Sequence, residues 1–190
     1  PIIAWAGPPK SVGKRPSQFK METPLPGDVE KAILIAEQLE KEHSYDAARR
    51  QLAAVLPNVP LKRAASFWIR ICHLWEMDNA SLQARDCYRD LAKRLESVDM
   101  ESAALAHYRA AVILSKTKRY QITLNELVDL ILKAPASVAA QRSVFLARDL
   151  HRTLSGPEDE AMFLIGLAAQ IETRYLKRSK KEELRYVKRL

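Results

Sequence analysis

A chain of 190 residues is long enough for one fair-sized core or a short stack of repeats, and too short for two independent domains of ordinary size. With 47% hydrophobic and 28% charged residues its bulk has the composition of a folded protein, which excludes a wholly disordered chain. The net charge of +8 is segregated: Lys10, Lys14, Arg15 and Lys20 bring +4 to residues 1–20, Arg174, Lys177, Arg178, Lys180, Lys181, Arg185, Lys188 and Arg189 less Glu182 and Glu183 bring +6 to residues 174–190, and the stretch between is left at −2.

In chain order, residues 1–27 hold Pro8-Pro9, Pro16, Pro24 and Pro26 at intervals that stop both helix and strand from propagating, so they are expected as an extended, basic arm. The start at Pro1 rather than Met is expected of a processed chain or a fragment. Asp28 is the expected cap of a first helix running to about Glu42, with Ala32, Ile35, Ala36 and Leu39 inward. A second helix carries Tyr45, Ala48, Leu52 and Val55 and ends before Pro57 and Pro60. The clearest stretch runs from Ala65 to Leu95. Its first helix places Trp68, Ile71, Cys72 and Trp75 on one face and, after a break at Asp78-Asn79, its second places Ala84, Tyr88 and Leu91 on one face. A third pair is predicted over Met100–Ser115, with His107, Ala110, Ala111 and Leu114 inward, and over Tyr120–Lys133, with Thr123, Leu127 and Leu130 inward, closed by Pro135. Val138 to Leu154 forms the next helix. Ser155-Gly156-Pro157 breaks it, and a last helix begins near Glu158-Asp159-Glu160 and continues toward Leu190. The chain thus divides into an arm (1–27), a helical-repeat body (28–173) and a basic C-terminal helix extension (174–190).

The three hairpins align at spacings of 36 and then 39 residues: Trp68 with Ala32 and His107, Cys72 with Ala36 and Ala111, Ala84 with Ala48 and Thr123, Tyr88 with Leu52 and Leu127. This pattern resembles the tetratricopeptide repeat family, in which a two-helix unit of about 34 residues keeps an aromatic early in its first helix, small residues where the helices cross, and a terminal Pro. Pro60 and Pro135 sit at that terminal position, and Asp99 replaces Pro in the second unit. The resemblance covers about residues 29–135 and implies an all-α fold of antiparallel hairpins stacked as a short solenoid. A weaker fourth hairpin fits a capping role.

Residues bearing chemistry are sparse. Gly7-Pro-Pro-Lys-Ser-Val-Gly13-Lys14 has five residues between its glycines, Arg15 where a phosphate loop needs Ser or Thr, and prolines that remove amide donors, so no nucleotide site is expected. His43, His73, His107 and His151 are spaced too widely to give two metal ligands on one helix face. No nucleophile has an evident base, and Glu37 with Glu40 reads as a solvated helix face. No catalytic residue, metal or cofactor is therefore expected. Cys72 and Cys87 are expected as reduced thiols packed in the core of an intracellular chain, organellar (mitochondrial) or cytoplasmic. No apolar run approaches the roughly 20 residues of a membrane span, and the N-terminus lacks the apolar core of a secretory signal.

The resemblance also implies a binding wall built from the first helix of each unit. By register it presents Ile33, Glu37 and Glu40, then Ser66, Ile69, His73 and Glu76, then Leu105, Tyr108, Val112 and Ser115. Apolar with acidic spots, such a wall suits an apolar or basic helix of a protein partner. The alternative is that these side chains contact neighbouring helices of the same chain. Together these features predict a non-catalytic adaptor in a larger assembly, with RNA or an acidic subunit on the basic ends. The competing reading is a pentatricopeptide-like RNA reader.

Overall fold

The computed structural model describes residues 27–187 of the chain, the last part of the final helix by its backbone. The expected N-terminal arm lies outside the described residues. Among the described residues there are eight α-helices and no strand: α1 (Gly27–Lys41), α2 (Tyr45–Val55), α3 (Leu61–Met77), α4 (Ser81–Leu95), α5 (Met100–Lys116), α6 (Tyr120–Lys133), α7 (Val138–Ser155) and α8 (Glu160–Val187). A short 3₁₀ turn, Leu56–Asn58, follows α2 where Pro57 blocks continuation. Asp28, expected as the cap of α1, lies instead within its first turn.

Within each of the first three hairpins the helices are joined by three residues, and the middle one is left-handed. His43, Asn79 and Lys118 have φ of 58°, 57° and 61° and are the three non-glycine residues with positive φ among those described. Their separations, 36 and 39 residues, are the spacings of the sequence repeat. The turn closes by recurrent hydrogen bonds: Ser44 N donates to Leu39 O at 2.8 Å and Ala80 N to Trp75 O at 2.9 Å, while His43 N donates to Glu40 O and Asn79 N to Glu76 O, both at 3.0 Å. These bonds satisfy carbonyls that a helix end leaves orphaned. A left-handed conformation is costly for a residue with a Cβ, so Lys118→Gly is expected to raise stability by up to about 1 kcal/mol in urea unfolding, less the extra chain entropy glycine brings to the unfolded state.

Burial follows the register. Ala36, Cys72 and Ala111 are buried where the helices of a hairpin cross, as are Ala48, Ala84 and Thr123 opposite them and Leu52, Tyr88 and Leu127 one turn on. Side chains this small let two backbones approach closely. The early first-helix position is less uniform: Ala32 is buried, whereas Trp68 and His107 are half-buried. Each helix packs on the next in sequence, and α5 touches both α3 and α7.

Caps explain the departure at Asp99. Its carboxylate accepts from Ser102 N at 3.2 Å and from Ser102 Oγ at 2.7 Å, so Asp99 opens α5 as an N-cap, the position that Pro60 holds before α3. Ser137 caps α7 by accepting from Ala140 N at 3.0 Å. Across the hairpins, Val138 N donates to Glu101 Oε1 at 3.1 Å, tying the start of α7 to α5. Phe163, Leu167 and Ile171 seat α8 on α6 and α7, and its backbone runs through residues 173 and 174 as one helix.

One expectation is overturned. Cys72 and Cys87 are joined as a disulfide between α3 and α4, with their Cα atoms 5.4 Å apart, rather than lying as reduced thiols. The antiparallel hairpin is the reason. The two residues lie seven before and eight after Asn79, at nearly equal distances from the turn, so the helices bring them face to face within disulfide reach. The argument that reduced cysteines mark the compartment falls with it.

Candidate interaction surfaces

The residues expected to form the wall lie on α1, α3 and α5, and the acidic ones among them are engaged within the chain. Arg70 of α3 reaches across to α1, its Nε donating to Glu40 at 2.7 Å and its Nη1 to Glu37 at 3.3 Å. The Glu40 hydrogen bond above all, with Glu37 adding to it, raises the proton affinity of Arg70. Both carboxylates thus bridge the first two hairpins. On α3, Glu76 accepts from the Tyr88 hydroxyl at 2.7 Å and lies 3.6 Å from His73 Nδ1.

The remaining wall residues divide by exposure. Ile33 packs on the core of the first hairpin, Ile69 on that of the second, and Tyr108 and Leu105 on the contact between α5 and the start of α7. Ser115 Oγ donates to Val112 O at 2.7 Å, and both residues are half-buried. Ser66 and His73 are the exposed members.

Tyr88, fully buried, has its ionisation pushed well above the ordinary tyrosine range, first by loss of solvent and then by its bond to Glu76. A folded-state pKa raised above the unfolded value of about 10 adds stability that is fully present below pH 10 and lost as pH rises past it. Tyr88→Phe is therefore expected to cost about 1.5–3 kcal/mol at pH 7, the value of a hydrogen bond to a charged carboxylate. The variant's stability should also fall less steeply above pH 10 than that of the parent, as read by urea unfolding across pH.

A second surface escapes the sequence pattern. A cleft of about 500 Å³ opens between the end of α4, the start of α5, the end of α6 and α8. Its walls include Met100, Ala104, Leu130 and Ile171, and Lys133, Arg174 and Lys177 stand around it. The one carboxylate lining it, Glu96, lies 3.3 Å from His107 Nε2 and 3.6 Å from Lys133 Nζ. The His107 hydrogen bond, helped by Lys133, holds Glu96 below the usual carboxylate range. Arg174 and Lys177, drawn from the predicted polyanion-binding set, thus border an apolar cleft. Of the others in that set, Lys10, Lys14, Arg15, Lys20, Lys188 and Arg189 lie outside the described residues, and Arg178, Lys180, Lys181 and Arg185 are placed by helix backbone alone.

Among the described residues no group of three or more His, Cys, Asp or Glu is arranged to hold a metal ion, and no helix is long and apolar enough to cross a membrane. His107 is half-buried beside Glu96, and His151 stacks on Phe163 with ring centroids 4.3 Å apart.

No family model, curated protein or solved structure matches this chain.

Sequence reasoning passed over the most committed charge in the molecule. Arg49, 5% exposed, follows the crossing residue Ala48 on α2 and turns across to α3. Its guanidinium donates to Leu74 O at 3.1 Å, Asp78 Oδ2 at 2.9 Å and Asp46 Oδ1 at 3.1 Å, and lies 3.7 Å from the centre of a Trp75 ring. The available signal was faint: an Arg on the inward side of a helix, with an acid three residues earlier and another just past the end of the facing helix.

Proposed function

We propose that this chain is a non-catalytic helical-repeat adaptor of the tetratricopeptide kind, a subunit of a larger ribonucleoprotein assembly that holds a protein segment against its first-helix wall and a polyanion on its basic ends. The observation that carries this reading is the recurrence of one hairpin geometry. The same left-handed turn returns at His43, Asn79 and Lys118, and the same crossing positions are buried in each unit. A scaffold of repeated units offers an extended surface rather than a single enclosed pocket. Arg70 bridging α1 and α3, and the packing of α5 on α3 and α7, support a stacked row of first helices.

The charge segregation supports the second half. Twelve basic residues crowd the two ends of a body that carries −2. The wall disfavours a chain that reads bases along that face, because Glu37 and Glu40 exceed by one the charge of the Arg70 that pairs with them, and Glu76 adds to the negative charge that phosphates would meet. The disulfide between Cys72 and Cys87 supports a compartment that permits disulfides over the reducing cytoplasm.

The test compares RNA binding by the full chain and by a full chain in which those terminal Lys and Arg residues are Gln, each at 50 and 200 mM salt. The parent is expected to bind and to lose about a thousandfold in affinity over that range if six or more phosphates are neutralised. The neutralised chain is expected not to bind. Binding that survives neutralisation would replace this reading with that of a direct RNA reader.

A further inference from the structure

On α8, Phe163, Leu167 and Ile171 turn inward, and the opposite side of the helix is apolar as well. Met162, Ile165 and Leu176 are 70%, 62% and 53% exposed, with Gly166 and Ala169 between them. At 3.6 residues per turn, Met162, Ile165, Ala169 and Leu176 fall on one stripe about 21 Å long, centred opposite the buried face. Its middle is made of small residues, so another helix can come close. An apolar stripe of this kind on a charged protein marks a contact surface.

The ends of the stripe identify the occupant. Glu158 and Asp159 stand just before α8 and Lys177 stands beside the far end of the stripe, while Glu160 and Arg174 fall on the inward side, within about 20° of Leu167. Among the described residues, Glu160 pairs with Arg148 at 3.8 Å, while Glu158, Asp159 and Lys177 have no ion-pair partner. A helix with an acidic start, an apolar middle and a basic end complements a copy of itself turned end for end. We propose that the outer face of α8 pairs antiparallel with the same face of a second copy of this chain, forming a two-fold dimer centred near Ala169. In that register Met162 lies across from Leu176 of the second copy. Lys177 lies within a turn of the other copy's Glu158. A parallel pairing would set acid on acid and base on base, and is excluded by the same charges. One helix pair is a modest interface, so the dimer is in exchange with monomer at concentrations on the order of micromolar.

Analytical ultracentrifugation of the full chain over a concentration series is expected to show a reversible monomer–dimer equilibrium. Ile165→Glu is expected to weaken it by at least about tenfold with the far-ultraviolet helix signal unchanged. Lys177→Glu, at an exposed position, should weaken it as well, and adding Glu158→Lys to that variant should restore it. Because the native cysteines are paired, a single introduced thiol reports geometry. Ala169→Cys is expected to form a covalent dimer on mild oxidation, Thr153→Cys is not, and Met162→Cys mixed with Leu176→Cys should cross-link faster than either alone. A monomer at every concentration, a dimer indifferent to Ile165→Glu, or Met162→Cys cross-linking by itself as fast as the mixture would overturn the proposal.

Discussion

Reduction of the Cys72–Cys87 bond is expected to lower the stability of the folded chain by about 3 kcal/mol, the loss calculated for opening a loop of about 15 residues. The two cysteines are 15 apart and link two helices joined by a three-residue turn, so the bond limits how far the unfolded hairpin spreads, a limit that reduction removes. Its worth is felt beyond that hairpin, because α3 and α4 pack on α2 and α5 and form the middle of the row. Urea unfolding with and without a phosphine reductant measures the effect, and Cys72→Ser with Cys87→Ser should reproduce it. A thiol count gives an independent reading: none before reduction and two after. Two titratable thiols in the oxidised protein, or identical unfolding with and without reductant, would show that the pair does not form.

Replacing Arg49 by Met is expected to cost about 2–4 kcal/mol, a size reserved for buried polar networks and core cavities. Methionine keeps much of the stem volume, so the loss reports the guanidinium. That group satisfies Leu74 O near the end of α3, where carbonyls carry the negative end of the helix dipole, and its charge faces Asp46 and Asp78 while its flat face covers Trp75. Because the two carboxylates are partly exposed, water takes over part of their solvation when Arg49 is lost, which keeps the estimate below that for a fully buried pair. Asp78→Asn should cost less, about 1 kcal/mol, since the carbonyl and ring contacts remain. Equal losses from the two substitutions would mean that the ion pair, and not the whole clamp, joins the first two hairpins.

Much of the local structure was legible without coordinates. The bounds expected for the helix Tyr120–Lys133 agree with α6, and the helix expected over Met100–Ser115 is longer by one residue in α5. Hydrophobic spacing at 3.6 residues and the breaks at Pro57, Pro135 and Gly156-Pro157 are local signals, and the elements they mark are local too. Of the turn residues at 43, 79 and 118, the break at Asp78-Asn79 was read from the sequence, and nothing in the residue types His, Asn and Lys announces one shared conformation.

The residues expected on the wall were legible as positions on three helices and not as a set of free groups. Register placed Glu37 and Glu40 on the side of α1 that faces α3, and it could not say that Arg70 would reach them. Long, flexible side chains such as Arg70 and Arg49 find partners 25 to 33 residues away in sequence, at distances set by how two helices cross. The cleft beside Glu96 is of the same kind. Its sides come from four separate helices, and no segment carries a pattern that announces it.

By itself, then, the sequence determined most helix bounds and shared faces, with Ile35 of α1 expected inward and found 48% exposed, and it determined the recurrence of the hairpin and the segregation of charge, because each depends on neighbours within a turn or two along the chain. Only the tertiary structure decided that Cys72 meets Cys87, that Arg49 and Arg70 clamp the first two hairpins, that the acids of the wall are engaged, and that α8 keeps an apolar face outward. Helical periodicity specifies the faces of each element, whereas which faces meet, and at what distance, follows from the packing of all of them at once.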